Sequence, residues 1–410
     1  MWSIPRLVVL PICIVFLMLL VQFYLPNSNQ VVSNSADTIV SLDQTRGAPI
    51  NSVLTDRGAS LLHCWTDREL FKRAVSAATS AIHAYPPSFD KHERSVDWLQ
   101  GHRFRSNWPN IFSSLHSKLG CVSTVCSENG VAESKSPPKP KIAFLFLIRS
   151  SLPFAPLWIR FFHGHENLYN IYVHADPSGG LSLLDRSVGI FWGRLIPSQK
   201  TERANPSLIS AQRRLLANAL LDDPLNEYFA IISDHCIPLY SFSNIYKKLT
   251  SSRISFLEVL DHSRTLSNRY IARGKNVMLP EVPFQDFKVG SQFFIITKKH
   301  ALMYVKDQKY WNKFKLKCKD TNSCFPEEHY FSTVMYIEDR NGTTSFTRTY
   351  VNWASPTKGG HPKTYTRLET DQTLINNIRL QKDGRFLFAR KFDDDCLEKF
   401  LELADYMFQD

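Results

Sequence analysis

The hydrophobic pattern changes character along the chain, and each change predicts a different kind of structure. Residues 7–25, LVVLPICIVFLMLLVQFYL, carry no charge, and Arg6 sits on the short N-terminal side. About 20 such residues cross a hydrocarbon core, and basic residues stay on the cytoplasmic side. A cleaved signal peptide has a shorter apolar region followed by a small-residue cleavage site. Here the run leads into Phe23, Tyr24, Leu25 and Pro26, so we expect an uncleaved signal anchor, a cytoplasmic tail over 1–6 and the remainder in a lumen. Residues 26–62 are polar without sustained periodicity and read as a flexible stem. Leu70, Phe71, Ala74, Val75, Ala78 and Ile82 recur at helical spacing between Asp67 and Ala84, and SKSPPKPK at 134–141 reads as a linker. Residues 63–140 are thus expected to be a helical segment and linker, and 141–410 the main folded domain.

Beyond the linker, short apolar runs alternate with helical periods. IAFLFLI (142–148) is a continuous apolar run of strand length, as expected of a strand covered on both faces. APLWIRFFHGH (155–165) reads as helix, NIYVHAD (170–176) and GIFWGRLI (189–196) as strands, and SLISAQRRLLANALL (207–221) as an amphipathic helix. EYFAIISD (227–234) is a further buried strand, followed by a helix for which Ser241 is a suitable N-cap. ISFLEV (254–259), SQFFIIT (291–297) and GRFLFARKF (384–392) are the remaining strands. A helix opens at Pro326 and runs to about Ile337, and an acidic-started helix closes the chain. Strands alternating with helices predict an α/β fold with a mainly parallel sheet flanked by helices. Ligands bind such sheets beyond the carboxyl ends of the strands. Asp176, Asp234 with His235, and Glu258 stand at predicted strand ends, where each alone reads first as a turn or cap residue and their convergence on one edge points to a pocket.

Charge and cysteines narrow the setting. Lys and Arg outnumber Asp and Glu by 49 to 38, a net +11 that favours anionic partners. The excess is dispersed, and without a basic run or nucleic-acid motif we expect no nucleic-acid binding. Cys13 lies in the apolar span, leaving Cys64, Cys121, Cys126, Cys236, Cys318, Cys324 and Cys396 on the luminal side. In an oxidising lumen Cys121/Cys126 and Cys318/Cys324 are close enough to form small loops, and an odd total leaves at least one thiol free or intermolecular. Asn341-Gly342-Thr343 is a glycosylation acceptor sequence.

Phosphate-cradling glycine motifs, the G-x-S-x-G elbow and H-E-x-x-H are absent. Asp393, Asp394 and Asp395 could hold a divalent metal, yet they precede CLEKFLELADYMF, where acids suit a helix dipole. The same ambiguity attaches to CFPEEHYF (324–331): Glu327 and Glu328 are either first-turn acids or a base aimed into a pocket.

Read together, KIAFLFLIRSSLPFAPLWIRFFHGHENLYNIYVHADPS, RRLLANALLD, IISDHCIPLYSFSNIY, GSQFFIIT, EEHYF, NWASPTKGGHP and FLFARKF resemble the plant core-2/I-branching-like glycosyltransferases. These blocks run in the family's order from about 141 to 392, roughly 60% of the chain. The resemblance implies an inverting, Golgi-type transferase with a GT-A-like domain over 141–410, related to enzymes that add β-1,6-linked N-acetylglucosamine. It implies a UDP-sugar donor, a glycan or glycoprotein acceptor, no metal cofactor, and basic side chains on the diphosphate. Glu328 falls on the position of the catalytic base, with Glu327 where the family usually has Asp. Lys391 matches one diphosphate-binding residue and Lys363 the other, where the animal pattern has Arg and Lys lacks the bidentate fork. Glu258, Arg264 and Trp353 sit where acceptor-binding residues lie, and Asp176 where the chain faces the nucleoside. Under this reading Cys318/Cys324 brace the turn that delivers Glu328, whose proton affinity a neighbouring carboxylate and burial would raise. The donor is open between N-acetylglucosamine, glucuronic acid and a pentose. A catalytically inactive luminal member that binds glycan or a partner enzyme is the alternative, and a glycoside hydrolase would need a second acid that no motif supplies.

Overall fold

The computed structural model describes residues 65–84, 138–180, 186–261, 265–354 and 361–409. Strand β1 (Lys141–Ile148) lies between β2 (Tyr169–Ala175) and β3 (Asn226–Ser233), parallel to both. Strand β6 (Ile295–Thr297) pairs antiparallel with both β3 and β5 (Ser255–Glu258), so β5 runs in the direction of β3. Strand β7 (Thr343–Ser345) pairs with β5 in parallel, and the order is β2-β1-β3-β6-β5-β7 with β6 alone reversed. A smaller sheet joins β4 (Ile237–Pro238), β9 (Phe388–Arg390) and β8 (Thr349–Val351).

All eight residues of β1 are buried. Its alternation sends Ile142, Phe144, Phe146 and Ile148 to one apolar cluster and Ala143, Leu145 and Leu147 to another. The first cluster is covered by α2 (Ala155–Phe162), α4 (Phe242–Thr250) and α10 (Leu397–Met407). Trp158 sits at its centre, edge-on to Phe144, Phe146 and Phe161, with its indole N–H donating to the Cys236 carbonyl at 3.1 Å. Ser241 caps α4 as expected, its hydroxyl accepting from Asn244 N–H at 3.2 Å.

On the other face α3 (Ser207–Asp222) packs beneath α1 (Asp67–Ala84), α6 (Lys298–Lys306) and α8 (Tyr330–Asp339). The 207–221 pattern predicts an amphipathic helix, but α3 is buried nearly all round, including Arg213 and Arg214. Both cations are satisfied. Arg213 donates to the carbonyls of Tyr304 and Asp307 at the end of α6, where helix carbonyls are unpaired, and lies over the Phe71 and Trp311 rings. Arg214 grips the Asp67 carboxylate through two nitrogens at 2.5 and 2.8 Å, locking α1 onto the body.

The structure corrects several predicted elements. Residues 189–196 form no strand: a 3₁₀ turn covers Arg186–Phe191, and only a bridge from Leu195 to Val173 continues the sheet. Gly189 and Gly193 have φ of +58° and +70°, which a pleated strand cannot hold. The expected strands at 291–297 and 384–392 shrink to three residues each, and the first runs antiparallel. The sequence reading also passed over α5 (Leu266–Ile271), α6, α7 (Trp311–Phe314), α9 (Gln372–Leu380) and the short strands β4, β7 and β8. Of the cysteines, Cys318 and Cys324 form a disulfide and Cys236 and Cys396 are buried thiols, while Cys64, Cys121 and Cys126 lie outside the described residues.

Trp158→Ala should empty the centre of the first cluster and orphan the Cys236 carbonyl. We expect a loss of about 3–5 kcal/mol of unfolding free energy, read from denaturant unfolding by circular dichroism.

Candidate active site

Strand register levels Ile148 with Ala175 and Leu147 with Ser233, so the loops leaving β1, β2 and β3 open on one edge. Strand order changes direction between β1 and β3, the position where such sheets bind ligands. Glu258 ends β5 on the same edge, and the reversal of β6 brings the Gly290–Gln292 approach there too.

Asp176 lies buried beside this crevice. One carboxylate oxygen accepts from Ser178 N–H and hydroxyl at 2.8 and 2.6 Å, the other from Thr201 N–H and hydroxyl at 2.8 and 2.9 Å. Burial opposes its ionisation, yet these four donors hold its carboxyl well below the usual range. Asp176 thereby ties the loop after β2 to the segment that leads into α3.

Across the crevice the Cys318–Cys324 disulfide closes a short loop. Phe325 follows in the left-handed region (φ +39°), then a 3₁₀ turn over Pro326–Glu328, and α8 begins only at Tyr330. Both glutamates lie in the 3₁₀ turn just ahead of α8, near a helix N-terminus as the dipole reading requires, and their side-chain partners distinguish them. Glu327 is buried, and its Oε1 accepts from Ala204 N–H at 3.0 Å, while Oε2 has no hydrogen-bond partner among the described residues. Burial, with the charge of Glu328 adding to it, pushes the Glu327 carboxyl up to about 7.

The Glu328 side chain is 32% exposed at the crevice and pairs with Arg269 of α5. Its carbonyl accepts from Gly290 N–H at 2.8 Å. A Cβ on Gly290 would stand 2.1 Å from the Glu258 carbonyl oxygen and 2.3 Å from Ser332 Oγ, so only glycine fits where the β5 end meets the Glu328 turn. The Glu258 side chain beside it is part-buried, and that burial raises its carboxyl. His329, fully buried, is held neutral by burial with its pKa pushed down to about 3. Its Nδ1–H donates to Lys288 carbonyl at 2.7 Å, leaving Nε2 to accept from Arg269 Nη1 at 3.4 Å.

The basic residues occupy the same edge. The Lys391 carbonyl accepts from Tyr365 N–H at 2.8 Å, and Phe392 N–H reaches the His235 carbonyl at 3.4 Å beyond β3. Arg203 links this side to the glutamates: its guanidinium lies 5.3 Å from the Phe325 ring and Nη1 donates to His361 Nε2 at 2.7 Å. The charges of Arg203 and, more weakly, Lys391 push the His361 pKa down. Lys363 is drawn elsewhere, its amine 2.5 Å from the Glu369 carboxylate.

Of the remaining expected positions, Trp353 is 55% exposed, Asn341 is exposed on the turn before β7, and Arg264 lies outside the described residues. Asp393 caps the turn before α10 by accepting from Asp394 N–H, Asp394 faces His235 at 3.2 Å, and Asp395 accepts from Arg367 N–H. These partners spread the three carboxylates apart, and among the described residues no three His, Cys, Asp or Glu side chains gather as metal ligands. Sequence reasoning missed Arg269, Arg203 and His361. His361 lay within the quoted NWASPTKGGHP block, whereas Arg203 and Arg269 sit in stretches without any pattern that singles them out.

The family model of the core-2/I-branching enzymes matches residues 142–379, more than half of the chain. The chain belongs to the core-2/I-branching enzyme family. It is 31% identical over 323 residues to the rice (Oryza sativa subsp. japonica) protein "Glycosyltransferase BC10", an alignment covering 67% of this chain and 79% of that protein. This core-2/I-branching family member is a glycosyltransferase, with a donor sugar and a glycan acceptor as its substrates. Among the described residues no helix is long and apolar enough to cross a membrane, and the apolar stretch 7–25 lies outside them.

Glu327 gives the site a pH signature. The folded chain holds this proton between about pH 4.5 and 7, where the unfolded chain releases it, so the group's contribution is complete below that window and lost as pH rises through 7. Glu327→Gln keeps an acceptor for Ala204 N–H and removes the ionisation. Its stability relative to wild type should therefore climb between about pH 5 and 8, by up to about 3 kcal/mol. Parallel unfolding curves for the two proteins across that range would contradict the assignment.

Proposed function

We propose that this glycosyltransferase is inverting and moves a sugar from a UDP-sugar to a glycan or glycoprotein hydroxyl, with Glu328 as general base. The observation that carries the reading is the Glu328 carboxylate, open to the crevice and oriented by Arg269, on the strand edge that also holds Lys391. Glu328 takes the proton from the acceptor hydroxyl while that oxygen attacks the anomeric carbon. The bond from that carbon to the diphosphate breaks, and UDP leaves with the electron pair. Lys391 stabilises the charge that grows on the departing diphosphate, an interaction stronger in the transition state than in the bound donor.

Glu258, Arg264 and Trp353 form the acceptor side. The exposed Trp353 indole supplies an apolar face suited to a sugar ring. Asp176, its carboxylate spent on Ser178 and Thr201, shapes the loop that faces the nucleoside. Lys363 enters as the second diphosphate residue only by leaving Glu369. The donor sugar is N-acetylglucosamine or another UDP-linked sugar, and a panel of donors against the detergent-purified chain decides between them. We assign the protein to the Golgi membrane with residues 7–25 as anchor and the rest luminal, a setting in keeping with the Cys318–Cys324 disulfide and the exposed Asn341 acceptor sequence.

Glu328→Gln keeps the size of the side chain and removes its basicity, so the transfer rate should drop by roughly 10²–10⁴-fold with donor binding little changed. A variant turning over near the wild-type rate would end the base assignment. If fixed cations do the electrostatic work, transfer should continue at an undiminished rate in EDTA. Loss of activity restored by Mn²⁺ would show that a metal is needed.

A further inference from the structure

Three basic groups meet at the crevice: the Arg203 guanidinium, the His361 imidazole and the Lys391 ammonium. Arg203 donates from one nitrogen to His361 Nε2 at 2.7 Å, and the charges of Arg203 and Lys391 both push the pKa of that imidazole down. Most cations of the site are matched by a carboxylate: Arg269 by Glu328, Lys363 by Glu369 and Lys288 by Asp261. Among the described residues no carboxylate lies within ion-pair distance of Arg203 or Lys391. Beyond that distance Arg203 acts on the buried Glu327 carboxyl, whose pKa is itself pushed up to about 7 and which is therefore a weak counter-charge, and an anion bound between the cations lowers their mutual repulsion.

Arg203 is also held in place. Ala204, at φ +59°, turns the chain sharply just after it, and the Ala204 N–H is tied to buried Glu327. The guanidinium lies against one side of the Phe325 contact shell, 5.3 Å from the ring, and Arg269 lies 4.9 Å from the same ring. Its contacts therefore reach both Phe325, beside the Glu328 turn, and His361, on which Lys391 also acts. A guanidinium has five donors in a fixed fork that matches a phosphate, and one of the five is used here.

We propose that Arg203 is the second cation, beside Lys391, that grips the donor diphosphate. The assignment rests on the UDP-sugar reading for the identity of the nucleotide, and on the charge cluster for the anion itself. Lys363, expected in this place from the family pattern, is neutralised by Glu369, while Arg203 supplies the bidentate fork that a lysine there lacks. Because the Arg203–Ala204 corner is bound to Glu327, the anion contact and the Glu328 loop form one mechanically joined unit.

The test measures binding of UDP, inorganic pyrophosphate and uridine to the full chain in detergent by calorimetry. Arg203→Gln should weaken UDP and pyrophosphate by about tenfold or more and leave uridine within about twofold. Arg203→Lys, which keeps the charge and loses the fork, should fall between. Lys200→Gln removes an exposed charge paired to Glu202 at 3.2 Å and should bind all three ligands as the wild type does. Should Arg203→Gln fail to fold, the lysine variant decides alone through its several-fold loss of pyrophosphate affinity. Pyrophosphate and UDP binding unchanged in the Arg203 variants, or no pyrophosphate binding by the wild type, overturns the proposal. Arg203-dependent pyrophosphate binding by a wild type that ignores UDP leaves the anion grip standing and removes the UDP reading instead.

Discussion

Burial of β1 on both faces constrains everything above it. A strand with helices packed against either side has no face for a polar side chain, so its chemistry must be exported to its end. With β2 and β3 parallel to it and level in register, those ends share one edge. Polar residues that the interior excludes therefore collect in a single crevice: Asp176, Asp234 and Glu258 from the sheet, joined by two later segments that fold back over it. The two apolar clusters fix the sheet's position so firmly that even Arg213 and Arg214 are accommodated as buried cations with every near neighbour arranged around them.

Within that crevice the chain sorts charge by side. The Glu328 turn is held to the end of β5 by the Gly290 contact, where main chain meets main chain with no room for a Cβ. The acidic side is internally compensated, with Arg269 on Glu328 and a backbone donor on Glu327. The basic side, with Arg203 and Lys391, is not. An inverting transfer asks for such an asymmetry, since a proton must be taken from one substrate while negative charge accumulates on the other. Phe325, held in an unusual backbone conformation, lies at the join and is approached by two guanidinium groups, those of Arg203 and Arg269.

Membership of the core-2/I-branching family sets the reaction class, but the family pattern does not by itself say which cations of this chain are available. Lys363 sits where the pattern asks for a cation and is matched by Glu369. Asp393–Asp395 look like a metal-binding run, and here Asp393 caps a turn, Asp394 meets His235 and Asp395 accepts from the Arg367 N–H. In each case the partners that folding supplies, some near in sequence and some far, decide what the side chain meets.

That contrast separates what could be read along the chain from what could not. The apolar run of β1, the helical period of α1 and the Ser241 cap are local: their cause lies in the residues themselves, so the α/β architecture and the strand-end position of Asp176 and Glu258 were legible directly. The EEHYF stretch that singles out Glu328 as a candidate was legible too, because its residues stand side by side. The failures share one physical origin. Residues 189–196 have strand composition, yet two glycines at positive φ bend them away from the ladder; the run from Pro326 reads as one helix, yet Pro326–Glu328 form a 3₁₀ turn and α8 starts at Tyr330. The partners that define the site join segments more than fifty residues apart: Arg269 to Glu328, Arg203 to His361, Ala204 to Glu327. Composition and periodicity record what each segment prefers, and only folding brings those distant charges within reach of one another, because Coulomb energy and hydrogen bonding depend on separation in space.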